Sequence, residues 1–288
     1  MTKEGSPEGM RSIVRGIDFR LLELLACPEC LAAVGEAGAI LTCSACGREY
    51  SILDGVPQLL PAALTAAAPT GPAWQTWAKA LDRLVAWRRR TWNGGLAAAE
   101  FQRGVYGIQA EFAAHCRLAE AHGTVLDVGC GSADIAAALP PTCFYVGVDP
   151  LPLPRRGGPV MVRGVGERLP LRTAAFDLVL ALETLDHCQS PETMLAEILR
   201  VLKPAGTLCV EQYVTNAGWR GRLARWWRGA PSIGYPAPAD SPKVVLLEEP
   251  DVLALLRSAF AEVAVGRATQ GSHLFMAAFA KGTERPGE

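Results

Sequence analysis

The sequence predicts an α/β fold with a largely parallel sheet, placed behind a small four-cysteine module and a helical connector. Three observations carry that reading. From Thr124 onward, short apolar runs (TVLDVG, CFYVGVD, VMVRG, FDLVLAL, GTLCVEQ) alternate with helical stretches such as ADIAAAL and PETMLAEILRVL. Unbroken apolar strands separated by helices are what a parallel sheet buried on both faces requires. Near the N-terminus, four cysteines stand as two Cys-x-x-Cys pairs, Cys27/Cys30 and Cys43/Cys46. Between these regions Trp74, Trp77, Ala78, Leu81, Leu84 and Val85 recur at three- and four-residue spacing, the period of an amphipathic helix.

Taken in order, residues 1–19 are polar and are expected to be flexible. Residues 20–61 form the cysteine module, rich in turn residues. The stretch LTAAAPTGPA opens a linker and helical connector over 62–109. Asn93-Gly94-Gly95 is expected to stop the first connector helix, and a second helical region over about 96–121 is expected to break at Gly104 and Gly107. The α/β domain covers 110–281, and 282–288 is expected to be a flexible tail.

Composition bounds the function. Of 288 residues, 50% are hydrophobic and 20% charged, enough for a sizeable core and against a mainly disordered chain. A net charge of −1 disfavours a protein whose task is wrapping nucleic acid, although a local basic patch is left open. No apolar run approaches the ~20 residues of a membrane span, and the start MTKEGSPEGMRS lacks a signal-type apolar stretch, so a soluble, cytoplasmic protein is expected. Nine cysteines cannot all pair as disulfides; Cys116, Cys130, Cys143, Cys188 and Cys209 read as small core residues.

Two Cys-x-x-Cys knuckles can present four thiolates in the tetrahedron that Zn²⁺ favours in closed structural sites. Gly47 supplies the turn that the second knuckle needs, and a segment this small gains from a metal staple. A redox Cys-x-x-Cys or buried free thiols are the alternatives; two pairs without a thioredoxin-like surround favour structural zinc on Cys27, Cys30, Cys43 and Cys46. The segments LLACPEC, LTCSACGREY and SILDGVPQLLP, with the Asp54-Gly55-Val56-Pro57 turn, resemble the small zinc-ribbon family whose members activate tRNA and protein methyltransferases as separate subunits. That resemblance is reason to look for a methyltransferase on the same chain.

Val125-Leu126-Asp127-Val128-Gly129-Cys130-Gly131-Ser132-Ala133-Asp134 reads as strand, Gly-rich turn and helix start. The glycines let the backbone approach a ligand, and Asp127 offers acceptors at the strand end. The dinucleotide fingerprint wants a third glycine where Ala133 stands, and Asp134 would repel a phosphate, so a ligand with a cationic group fits better than a diphosphate. A second strand, Phe144–Asp149, ends on a carboxylate placed to accept ribose hydroxyls. With Gly166-Glu167-Arg168-Leu169-Pro170-Leu171, Ala175-Phe176-Asp177-Leu178-Val179, Leu185-Asp186-His187 and Arg200-Val201-Leu202-Lys203-Pro204-Ala205-Gly206, the ordered series over about 110–281 resembles the class I S-adenosyl-L-methionine-dependent methyltransferases of the type 11-like group.

That resemblance implies a Rossmann-like seven-stranded sheet with an antiparallel last strand, here Ser272 to Lys281. It implies a cofactor site of Asp127, Gly129, Cys130, Gly131, Asp149, Pro150, Val165, Gly166 and Leu182, with Asp127 near the methionine end and Asp149 on the ribose. Val165 departs from the family, which often has an Asp there to contact the adenine amino group.

Methyl transfer is an in-line displacement in which an enzyme mainly supplies proximity, with a base where the acceptor must lose a proton. His187 with Asp186 is the expected catalytic pair; Glu211, Tyr213 and His273 are further candidates. All seven tryptophans fall at Trp74–Trp92 or Trp219–Trp227. The connector and the later insertion, with Trp226, Trp227, Arg222 and Arg225, are therefore expected to form a lid over the substrate. The aromatic lid and near-neutral charge point to a small-molecule acceptor. An RNA base methyltransferase using the ribbon for recognition, and a non-catalytic cofactor- or partner-binding protein, are the alternatives.

Overall fold

The structure, a computed structural model, describes residues 17–37, 40–65, 72–92, 96–151, 158–215, 235–236, 243–269 and 272–279. The chain opens with a short helix, α1 (Phe19–Leu24), whose N-cap Asp18 accepts the Arg20 N–H at 2.9 Å. Four strands follow in sequential antiparallel order: β1 (Val34–Ala37), β2 (Ile40–Cys43), β3 (Glu49–Leu53) and β4 (Val56–Pro57). Asp54 and Gly55, both at positive φ, make the two-residue hairpin between β3 and β4, the turn that Asp-Gly favours.

The cysteine module is not a separate bead. Leu21, Leu25, Cys27, Tyr50 and Leu59 belong to the same buried cluster as Leu126, Val148 and Leu171 of the α/β domain. Backbone bonds cross the boundary as well: Ala26 N–H to Pro170 O at 2.9 Å, Arg172 N–H to Leu24 O at 2.8 Å, and Leu59 N–H to Arg163 O at 2.8 Å. The Arg168 guanidinium donates to the carbonyls of Pro28 and Glu29, inside the first cysteine knuckle.

After α2 (Ala62–Thr65), the connector is two long helices, α3 (Pro72–Trp92) and α4 (Leu96–His115), packed on each other. α3 stops just before Asn93-Gly94-Gly95. The break expected at Gly104 and Gly107 does not occur: α4 runs through both. A Cβ at either glycine would meet nothing within 4 Å, so both lie on an open face, where glycine costs only about 1 kcal/mol relative to Ala. Packing of Phe112 edge-on against Phe275, 5.9 Å between ring centroids, holds the helix to the sheet.

The main sheet has strand order β12-β13-β9-β8-β5-β6-β7, from β5 (Thr124–Val128), β6 (Phe144–Asp149), β7 (Val160–Arg163), β8 (Phe176–Leu182), β9 (Leu202–Tyr213), β12 (Glu262–Arg267) and β13 (His273–Phe279). β13 alone runs antiparallel to its neighbours, within the span expected for the antiparallel strand. All six residues of β6 are buried, as a strand covered on both faces must be. α5 (Pro191–Val201) starts at Ser190, whose hydroxyl accepts the Thr193 N–H at 3.1 Å, and buries Met194, Leu195, Ile198 and Val201 against the sheet. A small hairpin, β10 (Tyr235–Pro236) with β11 (Val245–Leu246), and α6 (Glu249–Ala259) complete the fold. The helix expected after β5 is only a 3-10 turn, Asp134–Ala138, because Pro140 and Pro141 follow at once and cannot continue it. Among the described residues no helix is long and apolar enough to cross a membrane.

The shared core generates a prediction. Leu25 is fully buried beneath the module, so Leu25→Ala should cost about 2–5 kcal/mol. The loss should appear as one cooperative transition of the whole chain; two well-separated denaturation transitions would contradict a continuous core.

Candidate functional site

The strand order reverses at β5, which has β6 on one side and β8 on the other. In open α/β sheets the ligand crevice lies at such a switch point, beyond the carboxyl ends of the strands. Here it is a cavity of about 650 Å³. The turn after β5 forms its floor. Gly129 at φ +75° accommodates the Thr184 side chain, which a Cβ would strike, and Gly131 at φ +52° turns its N–H to Asp149 Oδ2 at 2.8 Å. Ala133, where a third glycine was sought, also takes the left-handed conformation, at φ 59°.

Two carboxylates dominate this end. Asp149 receives the Gly131 and Leu151 N–H groups on its two oxygens, both at 2.8 Å, which fixes its orientation toward the cavity it lines. Asp127 is 2% exposed and accepts the Tyr145 hydroxyl at 2.7 Å. Burial pushes its carboxyl up to about 7; the Tyr145 bond opposes that shift and the charge of Asp149 adds to it. Cys130, Pro150, Val165, Gly166 and Leu182 line the same cavity. Gly131 does not; its contribution is the bond to Asp149. Val165 is buried against Leu60 and Trp77, so an apolar wall stands where an acidic contact was sought.

The connector covers the cavity. Trp77, Leu81 and Leu84 of α3 and Val105 and Ile108 of α4 face into it, and the Trp77 indole N–H is bonded to His187 O at 3.0 Å. The insertion with Arg222, Arg225, Trp226 and Trp227, expected as the second half of a lid, lies outside the described residues.

At the opposite end, past β8 and β9, a second polar group gathers. His187 lines the cavity, while Asp186 is buried behind it with Oδ1 3.7 Å from His187 Nε2, beyond hydrogen-bond range. Asp186 pairs instead with Lys243 Nζ. Lys243 is brought there by backbone bonds from Val244 and Val245 N–H to Asp186 O, at 2.8 and 3.1 Å. Glu183 lies 3.7 Å from Lys243 and accepts the Tyr213 N–H. Glu211 is bonded to His273 Nδ1. Glu183, Glu211, Tyr213, Lys243 and His273 all line the cavity. Glu183 and Lys243 escaped the sequence reading; each stands beside an apolar run, but they are 60 positions apart and meet only in the fold.

The cysteines meet as their spacing requires. All four Sγ atoms lie within 4.8 Å of one another, with Cys27–Cys46 at 3.8 Å and Cys30–Cys43 at 3.4 Å. A tetrahedron with Zn–S bonds of about 2.3 Å has sulfur–sulfur edges of about 3.8 Å, so the quartet fits that ion. The two knuckles share one geometry. Leu31 and Gly47, each just past its second cysteine, adopt positive φ, and their N–H groups return to Cys27 O at 2.8 Å and Cys43 O at 3.1 Å. The Cys46 N–H, 3.5 Å from Cys43 Sγ, is the first cause holding that thiol down to about 6, toward the thiolate that ligates metal. Tyr50 Oη lies 2.9 Å from Cys27 Sγ, an outer contact of the kind that orients a ligand.

Residues 126–210 match the family described as a methyltransferase domain. An uncharacterized methyltransferase of Mycobacterium sp. (strain KMS) is 36% identical over 102 residues, 33% of this chain and 40% of that protein, and its counterpart in strain JLS is 35% identical over the same length. The chain thus spans about two fifths of the length of the curated relatives it matches. Among solved structures, Burkholderia thailandensis 1,6-didemethyltoxoflavin-N1-methyltransferase, determined with 1,6-didemethyltoxoflavin and S-adenosylhomocysteine, aligns at 19% identity and a TM-score of 0.51 over 84% of this chain and 98% of that one. The fold is accordingly the Rossmann-like methyltransferase fold with a seven-stranded mixed sheet.

The Asp127 carboxyl sets a pH dependence. Its unfolded form ionises near 3.8 and its folded form near 7, so its burial erodes stability as pH rises across that window, the loss being complete above 7. A cation bound beside it reverses the preference and expels the proton. Affinity for a cationic ligand at this carboxyl should therefore rise with pH up to about 7, by at most about tenfold per unit, and level off above. Calorimetry in buffers of different ionisation enthalpy should show proton release, and Asp127→Asn should abolish it.

Proposed function

We propose that this chain is an S-adenosylmethionine-dependent methyltransferase acting on a small-molecule acceptor. The observation that carries the proposal is the crevice at the switch point, with Asp127 and Asp149 at the ends of adjacent strands and the apolar faces of α3 and α4 closed over it. About 650 Å³ suits a drug-sized ligand pair better than a nucleic-acid strand, which needs an open groove.

The residues present fit the cofactor. Asp149, oriented by the Gly131 and Leu151 N–H groups, would hold the two ribose hydroxyls. Asp127 would face the cationic methionine end, and Cys130, Pro150, Val165, Gly166 and Leu182 would enclose the adenosine. When bound, the cofactor supplies an electrophilic methyl group on a sulfonium. The chain's own part is to orient the acceptor in line with it and to exclude water, which Trp77, Leu81 and Leu84 are placed to do. Loss of both ribose acceptors in Asp149→Ala should weaken S-adenosylmethionine binding by at least about 10²-fold by calorimetry. NADH binding more tightly than S-adenosylmethionine would refute the assignment. Transfer of labelled methyl groups into size-fractionated cell extract should mark the low-molecular-weight fraction; label confined to RNA would replace the small acceptor by a nucleic-acid one.

Cys27, Cys30, Cys43 and Cys46 would hold one structural Zn²⁺, a closed four-thiolate site without an open coordination position. Elemental analysis should return one zinc per chain, and Cys43→Ser should lose it. Because the module shares its core with the sheet, that variant should also lower the thermal midpoint of the entire chain.

A further inference from the structure

The crevice holds two histidines, and their surroundings differ. Histidine acts as a general base when one ring nitrogen is oriented by a carboxylate and the other faces the group to be deprotonated. His187 does not meet that geometry through its neighbour, since its Nε2 stands 3.7 Å from Asp186, whose other oxygen is committed to Lys243. His273, at the first position of β13, does meet it. Its Nδ1 is hydrogen-bonded to Glu211, directly across from Phe275 on the neighbouring strand β9, and the Glu211 side chain is 4% exposed. His273 lines the cavity, and no described residue bonds Nε2. We propose that His273 is the general base of this chain and Glu211 its positioning residue, so that the acceptor is a small molecule methylated on an O–H or ring N–H that must lose its proton.

This proposal rests on the methyltransferase reading. The acceptor's proton passes to Nε2, the electron pair so freed on O or N forms the bond to the methyl carbon, and the carbon–sulfur bonding pair stays on sulfur. The proton then leaves His273 to solvent. Every charged group around His273 bears on that transfer. Glu211 on β9 holds Nδ1; Glu183, after β8, lies 3.6 Å from it; the Tyr213 ring stands edge-on with centroids 5.4 Å apart; Lys243 and Asp186 form the next layer. Three carboxyl groups therefore face one lysine. Burial, followed by the charges of Asp186 and Glu211, pushes the Glu183 carboxyl well up, and burial pushes Glu211 up as well, opposed by its bond to His273. An imidazolium formed on His273 would be stabilised by the Glu211 carboxyl bonded to its Nδ1.

The test uses the full chain with S-adenosylmethionine bound. In histidine-¹⁵N-labelled protein, long-range ¹H–¹⁵N spectra should show His273 as the Nδ1–H tautomer with Nε2 unprotonated; an Nε2–H tautomer would overturn the proposal. The rate assay follows label from the methyl group of S-adenosylmethionine into a low-molecular-weight cell extract. His273→Asn retains a donor for Glu211 but lacks the basic nitrogen. It should bind S-adenosylmethionine as the wild type does, lower kcat/KM by about 10²–10⁴-fold and lose the rising limb of the pH–rate profile. Glu211→Gln should retain that limb but displace it. Wild-type rates in His273→Asn at every pH would overturn the base assignment alone. Wild-type protein that binds S-adenosylmethionine yet labels nothing would overturn the underlying reading instead. Activation by added Mn²⁺ together with broadening of the His273 signal would place a metal on Glu183, Glu211 and His273, which lie within ligating reach of one another, and would also overturn the proposal.

Discussion

Everything at the crevice follows from the reversal of strand order at β5. A parallel sheet buried on both faces has no room for polar side chains along its strands, so polar groups collect where the strands end. Where β6 and β8 leave β5 on opposite sides, the connections part and a space opens. Asp127, Asp149, Glu183 and Glu211 stand in or just beyond the last positions of four adjacent strands for that one reason. The glycines of the turn after β5 are the second consequence: the chain must fold back beneath that space, and Gly129 leaves the volume that Thr184 fills.

The two ends of the crevice are acidic in different ways. At the β5/β6 end the backbone solvates Asp149 with two N–H groups, while Asp127 accepts a tyrosine hydroxyl. At the β8/β9 end the acids are matched with side chains, Lys243 and His273, drawn from distant parts of the sequence. One end of the crevice therefore presents carboxyls held by backbone and tyrosine donors, and the other presents carboxyls paired with basic side chains.

Much of this was legible in the sequence. Contiguous apolar runs announced β5, β6, β7, β8 and β9, and the carboxylates at the ends of β5 and β6 could be named because strand and acid are adjacent in the chain. The cysteine pairs announced each other by spacing. What escaped was non-local or decided by packing. Lys243 reaches Asp186 only because its segment is pinned to Asp186 O, and the Glu211–His273 pair depends on the register of β9 against β13. Two glycines looked like helix breakers because propensity was read without the Phe112–Phe275 contact that outweighs it. The stretch after Asp134 looked helical from its alanines, but Pro140 and Pro141 end it as a 3-10 turn.

The placement of the cysteine module has a consequence for how such a chain can be divided. β7 is the outermost strand of its sheet, and the side turned away from β6 is occupied by Gln58 and Leu59, with Gln58 in parallel register beside Arg163. A chain cut after Leu60 would bare an unpaired strand and the apolar face now covered by Leu21 and Leu25, the features that let one sheet recruit another and precipitate. In the sequence the module reads as a detachable unit with its own signature. In the folded chain it is the seal on an open sheet, so its loss would be selected against on solubility even if it never touched a substrate.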